Sequence, residues 1–363
     1  MLDHVAFVRR GWHSDSGLLQ WKKDARPFKR AKKGGLLTLT HLIAFTAGLL
    51  LLYYGAGWLV RGSSILARSL GLTPMVIGLT VVAFGTSTPE LVVSLVSALK
   101  GKSMIALGNV VGSNICNIAL VLGLTAVFHP VTTGRVVITR DIPLMLIVSA
   151  YLLLLSFNST IGRVEGLTLF AGILAYTWFN YKVALRVDRT LPKKAVLEAR
   201  LPDGVTGMAG KRWGQCLMIA GGTGAVVLGA DLLVDAAVSI MTALGVDEKF
   251  VGLTVVAFGT SVPELATSVV AAMKKEMDIS LGNLVGSNVF NLLSVVGATA
   301  MVRPIVISGG FFGSGLVVDY LVMMVISALP LVLMKQDLTI TRGKGLILLG
   351  CYVAYVFFLI VKD

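Results

Sequence analysis

The chain has 363 residues, of which 55% are hydrophobic and 14% are charged, and its mean hydropathy is +0.84. Soluble domains carry about 25% charged residues, so this composition excludes an ordinary soluble domain and indicates a membrane protein. The net charge of +13 does not indicate a nucleic-acid-binding protein, because the basic residues lie at the ends of apolar segments. Membrane spans are commonly flanked by basic residues on their cytoplasmic side.

The chain begins with a basic tail, residues 1–35, which lacks helical periodicity and which we predict to be mostly disordered. The first apolar segment, Leu36 to Val60, lacks a small-residue cleavage site, so it is interpreted as a membrane helix rather than a secretory signal. Segments of about 20 apolar residues can cross a bilayer as helices. The sequence predicts ten of them, near residues 37–60, 74–99, 104–128, 142–157, 165–185, 214–243, 249–273, 279–302, 316–334 and 345–361.

Two sequence blocks occur twice, 174 residues apart. The segment GLTVVAFGTSTPEL from Gly78 recurs as GLTVVAFGTSVPEL from Gly252, and ALGNVVGSN from Ala106 recurs as SLGNLVGSN from Ser280. Weaker similarities extend this repeat along the chain. The sequence therefore predicts two related five-helix units, residues 36–186 and 214–363, joined by a basic cytoplasmic loop, residues 187–213.

An odd number of spans per unit makes the second unit enter the membrane from the opposite side. The predicted fold class is an all-α integral membrane protein whose ten helices form two inverted-topology repeats, with helices 2 and 7 broken. A site between inverted repeats can open to either side when the halves exchange conformations, which favours a transporter over a channel.

The distribution of Lys and Arg predicts which face of the protein is cytoplasmic. The basic tail conflicts with this count, because the same rule would place it inside, whereas the loops place both termini in the periplasm. We favour the loops. The basic residues on the predicted cytoplasmic face, besides those of the central loop, are Arg61, Arg68, Arg135, Arg140, Lys274, Lys275, Arg342 and Lys344.

Glu90 and Glu264 lie inside predicted spans and occupy the same position in the two GTSxPE blocks. A carboxylate within a membrane costs several kcal/mol unless it faces a cavity, a partner or an ion. The alternative is a protonated structural carboxyl group. Each glutamate follows a proline, which removes a helical N–H and frees a carbonyl one turn earlier. Neutral oxygens beside a carboxylate are the ligands that hard cations such as calcium prefer.

The second block places polar residues at intervals of four on one helix face. Asn109, Ser113 and Asn117 form this stripe in the first unit, and Asn283, Ser287 and Asn291 form it in the second. The stripe either lines an ion site or makes hydrogen bonds between helices. The glycine pairs beside it, Gly108 with Gly112 and Gly282 with Gly286, permit close helix packing.

The two blocks resemble the α-1 and α-2 repeats of the cation/calcium exchanger (CaCA) superfamily, and residues 37–361 resemble its bacterial sodium/calcium exchanger branch. The resemblance implies that Glu90 and Glu264 are calcium ligands shared with sodium, and that Thr86 and Thr260 add backbone carbonyls to calcium. It also implies that the flanking sodium sites are lined by Ala83, Ser87, Ser113, Ala257, Ser261 and Ser287.

The chain departs from the family pattern at one site position. Exchangers of this family commonly carry Asn at the position of Asn117 and Asp at that of Asn291, whereas this chain has Asn at both. The predicted site therefore holds two carboxylates instead of three. A second departure concerns spans one and six, because Gly57 and Arg61 of span one match Asp231 and Asp235 of span six. The two aspartates are interpreted as peripheral.

The function expected from this resemblance is sodium/calcium antiport in the cell inner membrane, with calcium leaving as sodium enters. Calcium and sodium are then the transported ions, and membrane lipids surround the protein. We expect no cofactor, no nucleic acid and no obligate protein partner. A calcium/proton antiporter on the same fold and a passive channel are the alternatives. An intramembrane hydrolase with Ser87 or Ser261 as nucleophile lacks a basic partner, because no histidine lies in or beside a GTSxPE block.

Overall fold

The structure is a computed structural model that describes residues 39–190, 211–243 and 257–362. The predicted basic tail, most of the predicted central loop and the first five residues of the second GTSxPE block lie outside these ranges. The helices are α1 (Leu39–Ser69), α2 (Pro74–Thr86), α3 (Thr88–Leu99), α4 (Ser103–Phe128), α5 (Val137–Ser156), α6 (Arg163–Thr190), α7 (Arg212–Ala243), α8 (Ala257–Gly259), α9 (Val262–Met273), α10 (Met277–Val302), α11 (Leu316–Leu333) and α12 (Arg342–Lys362).

Most helix positions agree with the sequence prediction, but three helices are longer than expected. Helix α6 ends at Thr190 instead of near residue 185, so residues 187–190 of the predicted central loop belong to it. Helix α1 continues to Ser69 instead of ending near residue 60, so Arg61 and Arg68 belong to the helix and not to a loop. Helix α5 begins at Val137 instead of 142, which places Arg140 in its first turns. The prediction missed these turns because a lone arginine near a membrane surface interrupts the apolar pattern, although its long side chain can reach the interface.

Seven helices in the described ranges are long and apolar enough to cross a membrane, and α2 with α3 forms an eighth, bent span. Helix α6 is long but less apolar, and α9 is short because the helix breaks at Ser261, as α3 is short after the break at Ser87. Helices α4 and α10 are the centre of the molecule, since 83% of each apolar window is buried, against 22–39% for the other spans. The chain is therefore an all-helical, multi-pass membrane protein.

Helices α1 and α7 pack in antiparallel fashion through glycines. A Cβ at Gly48 would lie 2.9 Å from the carbonyl oxygen of Gly229, and one at Gly222 would lie 2.8 Å from that of Gly55. The repeat relates residue 48 to 222 and residue 55 to 229, so these are the same contact made twice. A reciprocal contact of this kind is the mark of a two-fold axis.

Each unit has a broken helix at its GTSxPE block. Ser87 separates α2 from α3 with φ −86° and ψ 8°, and Ser261 separates α8 from α9 with φ −93° and ψ 3°. The chain bends by 45° between α2 and α3. Pro89 and Pro263 follow in the first turn of the new helix, where a missing N–H is tolerated. The predicted breaks in helices 2 and 7 are present.

Glycines bring the broken helix of the first unit against the central helix of the second. A Cβ at Gly286 would lie 2.7 Å from the Cα of Leu79, and one at Gly282 would lie 3.1 Å from the Cα of Gly78. This backbone contact is made where α2 contains a π-helical turn, Gly78–Val82. Turns of this type insert an extra residue and are frequent at functional sites.

Two pairs of short strands, which the sequence did not predict, join the units outside the helices. Strand β1 (Val131–Thr132) pairs with β4 (Thr339–Ile340), and β2 (Thr160–Ile161) pairs with β3 (Ile305–Val306), both antiparallel. Each pair connects the first unit to the second. The strands hold the loops of α4, α5 and α6 against those of α10, α11 and α12.

Candidate ion-binding site

The two intramembrane glutamates lie in the first turns of the second half-helices. Glu90 begins α3 and Glu264 begins α9, and both side chains are fully buried. The break before each helix places its carboxylate beside the helix N-terminus, whose free N–H groups favour negative charge. The two carboxyl groups are near enough to interact electrostatically. The structure thus brings together two acidic groups that are 174 residues apart in sequence.

Glu264 is held by hydroxyl groups from both units. The Ser87 hydroxyl donates to its Oε1 at 3.0 Å, and the Ser287 hydroxyl donates to the same oxygen at 3.4 Å. Its Oε2 has no hydrogen-bond partner in the described part of the chain. One carboxylate oxygen is therefore engaged, and the other is open to a ligand.

Glu90 is in a different state from its counterpart. Neither of its carboxylate oxygens has a hydrogen-bond partner among the described residues. Ser113 lies beside the carboxyl group without reaching hydrogen-bond geometry, and the Ser261 hydroxyl, the counterpart of Ser87, is also unpartnered there. A buried carboxylate without partners costs several kcal/mol, so this arrangement requires a proton or a cation.

The first asparagine of each stripe makes hydrogen bonds between helices, as the alternative interpretation proposed. The Asn109 amide donates to the Glu90 carbonyl at 3.2 Å and to Ser94 Oγ at 3.0 Å. The Asn283 amide makes the matching bonds to the Glu264 carbonyl, at 3.4 Å, and to Ser268 Oγ, at 3.1 Å. These bonds fix the backbone of each glutamate against the neighbouring central helix.

Thr86 connects the broken helix of the first unit to the stripe of the second. Its hydroxyl donates to Asn283 Oδ1 at 3.0 Å and lies 3.4 Å from Ser287 Oγ. Ala83 packs near Gly286, within the same close contact of α2 with α10. On the other side of the site, Ala257 begins α8 and Thr260 occupies the turn between α8 and α9.

Four asparagines form a symmetric cluster at the centre of the molecule. Asn114 donates to the Asn288 carbonyl and Asn288 donates to the Asn114 carbonyl, both at 3.2 Å. Asn117 then donates to Asn288 Oδ1 at 3.0 Å, and Asn291 donates to Asn114 Oδ1 at 3.1 Å. The Oδ1 atoms of Asn117 and Asn291 keep no hydrogen-bond partner within the described ranges.

Asn114 and Asn288 were not predicted as site residues, because each lies one position beyond a serine of the predicted polar stripe. A signal was available: the GSN triplet that contains them occurs in both copies of the second block. Asparagine is expensive in an apolar helix unless its amide is paired. Its recurrence in both units therefore indicated a structural contact on the two-fold axis.

The arrangement suits a hard cation. Within the described parts of the GTSxPE blocks and the polar stripes, the buried oxygens without partners are both carboxylate oxygens of Glu90, Glu264 Oε2, the Oδ1 atoms of Asn117 and Asn291, and the Ser261 hydroxyl. Two of these residues are carboxylates and the others neutral, which is a set that sodium or calcium prefers over softer metals. No group of three or more His, Cys, Asp or Glu residues is found in the described ranges, so a site for a soft transition metal is not indicated there.

Asp231 and Asp235 of α7 lie apart from this site. Both are exposed, and their counterparts in α1 are Gly57 and Arg61. Their interpretation as peripheral residues agrees with these positions.

The sequence profile described as "Sodium/calcium exchanger protein" matches residues 40–182 and 215–361 of this chain. The chain is 35% identical over 325 residues to "Putative antiporter CaxA" from Alkalimonas amylolytica, covering 88% of this chain and 99% of that protein. It is also 35% identical to "Inner membrane protein YrbG" from Escherichia coli (strain K12), covering 85% of this chain and 93% of that protein.

The fold is similar to solved structures of a sodium-calcium exchanger. A structure of NCX_Mj soaked with Na⁺ and Ca²⁺ superposes with a TM-score of 0.72 at 28% sequence identity, covering 88% of this chain and 98% of that one. These comparisons confirm the resemblance on which the sequence analysis relied.

Proposed function

Because the chain belongs to the sodium/calcium exchanger protein family, and is therefore a cation/calcium exchanger-type antiporter and not an enzyme, we propose that it exchanges sodium for calcium. In the proposed reaction calcium leaves the cell as sodium enters, through alternating access across the inner membrane. The observation that carries this proposal is the pair of buried glutamates, Glu90 and Glu264, among buried oxygens without partners. The name of the Escherichia coli relative supports the inner membrane as the location.

The proposed architecture is ten spans in two inverted five-helix repeats. Helix α1 lies antiparallel to its own counterpart, α7. When two equivalent helices that cross a membrane run in opposite directions, their units have opposite topology, and the two-fold axis lies in the membrane plane. The strand pairs support the same topology, because in it β1 and β4 lie on one face and β2 and β3 on the other.

Charge balance explains why such a site exchanges ions. Two ionised glutamates balance one calcium ion, whereas the empty site in water-poor surroundings would hold two unpaired charges of the same sign. The empty carrier is therefore reluctant to reorient. The site changes sides when calcium or several sodium ions neutralise it, and the sodium gradient then drives calcium out. If three sodium ions replace one calcium ion, one net charge moves per cycle, which is worth about 2.3 kcal/mol per 100 mV.

The two units differ in a way that supports alternating access. Hydrogen bonds join the residues that follow α9 to α1. Lys274 Nζ donates to the Gly57 carbonyl at 3.0 Å. Glu276 Oε1 accepts from Ser64 Oγ at 2.6 Å and from Arg68 Nη2 at 3.3 Å. No hydrogen bond or ion pair joins the counterparts Lys100 and Asp231 in the part of the chain that the structure describes, and both are exposed. Among the described residues, the contact of Lys274 with Gly57 is therefore not repeated by the equivalent pair, Lys100 and Asp231.

On the predicted orientation, the side of the Lys274 and Glu276 contacts is cytoplasmic, and we propose that this conformation faces outward. Exchanging the conformations of the two units would open the cytoplasmic side.

The second candidate is a calcium/proton antiporter, in which protons neutralise the glutamates. Glu90, whose two carboxylate oxygens have no partner in the described ranges, suits a protonated state. The four hydroxyls at Ser87, Ser113, Ser261 and Ser287 favour sodium, because they supply neutral oxygens beside both carboxylates.

Calcium flux into proteoliposomes separates the two candidates. Vesicles that contain the full chain are loaded with sodium, diluted into sodium-free buffer with calcium at the same pH, and compared with vesicles that carry only a pH gradient. We expect uptake driven by sodium and little driven by protons. Calcium uptake that depends on the pH gradient and not on sodium would establish the proton antiporter instead. Calcium flux that does not saturate and needs neither a sodium gradient nor a pH gradient would indicate a channel.

A further inference from the structure

A groove between α5 and α6 on the outer wall of the first unit has no role in the proposed ion exchange. Its volume is about 570 Å³, and a side chain of α10, Leu293, forms its floor. The walls are mostly apolar and include Leu144, Ile147 and Ala175. Ile147 is 64% exposed, so the groove opens toward the surroundings of the protein, which for a membrane helix are lipid.

The length of the groove matches one leaflet of a bilayer. It runs along α5 from Arg140 to Tyr151, which at about 1.5 Å per residue is about 16 Å. Half of a hydrocarbon core is about 15 Å thick. The far end is closed by Tyr151, whose hydroxyl lies 2.8 Å from Thr168 Oγ1. The dimensions therefore suit a single acyl chain.

The other end of the groove is basic and lies near a membrane surface. Arg140 uses two of its five N–H donors, since Nε donates to Asp141 Oδ1 at 2.7 Å and Nη2 lies 3.5 Å from Asn180 Oδ1. Its side chain remains 21% exposed. Exposed Arg135 precedes α5, and exposed Lys182 lies two residues beyond Asn180. Three basic residues against the single buried carboxylate leave a positive charge at this end.

Aromatic residues mark the same level of the bilayer. Trp178 and Tyr181 of α6 are exposed, and Lys182 Nζ lies 4.6 Å from the Trp178 ring centroid. Exposed Trp and Tyr are typical of the interface between headgroups and hydrocarbon. The basic residues are thus placed at headgroup depth.

The second unit lacks the basic end of this groove. The repeat places Val318 at the position of Arg140, Asp319 at that of Asp141 and Tyr355 at that of Tyr176. Tyr355 donates to Asp319 Oδ1 at 3.2 Å. In the first unit Tyr176 is 5% exposed and lines the groove, and its hydroxyl has no partner in the described ranges.

From the groove, its basic end and its unpartnered hydroxyl, we propose that the first unit binds one anionic phospholipid, with an acyl chain between α5 and α6 and its phosphate at Arg140. On the predicted orientation this end faces the cytoplasm, whose leaflet carries anionic lipids. The bound lipid ties α5 to α6 and leaves the ion site itself unchanged.

Native mass spectrometry of the full chain in detergent tests this inference. The protein is titrated with phosphatidylglycerol or phosphatidylcholine of identical acyl chains. We expect one retained phosphatidylglycerol and weaker retention of phosphatidylcholine. Arg140→Val should lower the preference for phosphatidylglycerol about fivefold, the factor expected for one basic residue near an anionic membrane surface. This variant copies the pattern of the second unit, in which the tyrosine can donate to the aspartate.

Substitutions of the wall separate the acyl chain from the headgroup. Ala175→Trp fills the groove and should abolish retention of both lipids, whereas Leu174→Trp, on the exposed side of the same helix, should leave both unchanged. If Ala175→Trp fails to give a monodisperse protein, Ile147→Trp replaces it. Lys182→Gln, at an exposed position, is a second test of the charge.

Three results would overturn the inference. The first is equal retention of the two lipids by the unaltered chain, and the second is retention that survives both groove-filling variants. The third is a dimer that Ala175→Trp dissociates, because the groove would then be the contact with a second copy.

Discussion

At the scale of single residues, the two glutamates have the same sequence context but different surroundings. Glu264 is held by Ser87 and Ser287, whereas Glu90 has no hydrogen-bond partner in the described residues. The two Glu90 carboxylate oxygens and Glu264 Oε2 are the atoms that these surroundings leave available to a cation at the proposed site.

The first prediction concerns the charge of Glu264. Glu264→Gln keeps the size of the side chain and removes half of the negative charge that balances calcium. We expect sodium-driven calcium uptake to fall below detection while the purified protein remains monodisperse. Glu165→Gln, at the start of α6 and outside the site, is the matched control and should retain normal uptake. Transport by the Glu264 variant at the unaltered rate would remove this residue from the mechanism.

The second prediction concerns the asparagine cluster. Asn114→Ala removes the amide that donates to the Asn288 carbonyl and the oxygen that accepts from Asn291. The buried Asn291 side-chain amide then loses its partner, at about 1–3 kcal/mol, whereas the Asn288 carbonyl keeps the Asn291 backbone N–H. Unfolding by denaturing detergent should show this loss, whereas Asn158→Ala, which removes only an exposed hydrogen bond from Thr160 N, should show a smaller one. An unchanged stability of the Asn114 variant would mean that the cluster is not structural.

The sequence singled out the two buried glutamates but not which groups contact them. Glu90 and Glu264 were identifiable because a carboxylate in an apolar span is costly and because it recurs in both copies. Which oxygen Ser87 contacts was not predictable, since its partner, Glu264, is brought near only by the packing of one unit on the other. The four-residue spacing of polar positions along one helix also does not include Asn114, whose hydrogen-bond partner, Asn288, belongs to the other unit.

At the scale of elements, glycines decide where helices meet. Along α1, Gly48, Gly55 and Gly62 recur at intervals of seven, and each faces α7. The spacing keeps small residues on one face of the helix, and small residues let two backbones approach closely. Helices so close have little room for larger side chains, so this face is the most sensitive part of the helix pair.

The third prediction tests this close packing. A Cβ at Gly222 would lie 2.5 Å from the backbone nitrogen of Leu59, whereas a Cβ at Gly221 has no atom within 4 Å. Gly222→Ala should destabilise the protein by about 1–3 kcal/mol, as overpacking does in well-packed cores. Gly221→Ala, one residue away, is the control. Equal midpoints of detergent-induced unfolding for the two variants would contradict the packing described here.

Helices were predictable from the apolar pattern, and their irregularities were only partly so. The prolines indicated the breaks at Ser87 and Ser261, because proline cannot continue a helix without losing a hydrogen bond. The π-helical turns, such as Asn291–Val295, were not foreseen, since no residue type requires them. The four short strands were also missed, because two residues are too few to show an alternating pattern.

At the scale of the whole molecule, the signs of the facing charges are exchanged between the two faces. On one face α1 supplies a basic residue and the end of α9 an acidic one, whereas on the other α7 supplies acidic residues and the end of α3 a basic one. Helix α1 carries Arg68 where the α9 end carries Glu276, and these two form an ion pair. Helix α7 carries Asp231 and Asp235, and the end of α3 carries Lys100. The repeat relates Lys274 and Gly57, which are in contact, to Lys100 and Asp231.

The fourth prediction follows from the exchange of conformations between the units. In the opposite-facing state, Lys100 should reach Asp231 as Lys274 now reaches Gly57. In a background without native cysteines, we expect a thiol-reactive crosslinker with a reducible link, about as long as a lysine side chain, to join Gly57→Cys with Lys274→Cys in the conformation described here. The pair Lys100→Cys with Asp231→Cys should crosslink when that state is populated, and each crosslink should stop transport until it is reduced.

The control for this experiment is each single cysteine variant, which should transport with and without the crosslinker. A transporting protein whose Lys100 and Asp231 positions never crosslink, under any sodium or calcium gradient, would rule out this motion.

The reciprocal contacts of Asn114 with Asn288, and of Gly48 with Gly229, have a consequence for assembly. Each contact made twice is isologous, as between the subunits of a C₂ homodimer. On the proposed topology, the two units therefore meet as two separate copies of one chain, inserted in opposite directions, would meet. The covalent join then supplies proximity and not shape. A chain severed between residues 191 and 210 should therefore reassemble from its two fragments when they are coexpressed in one membrane.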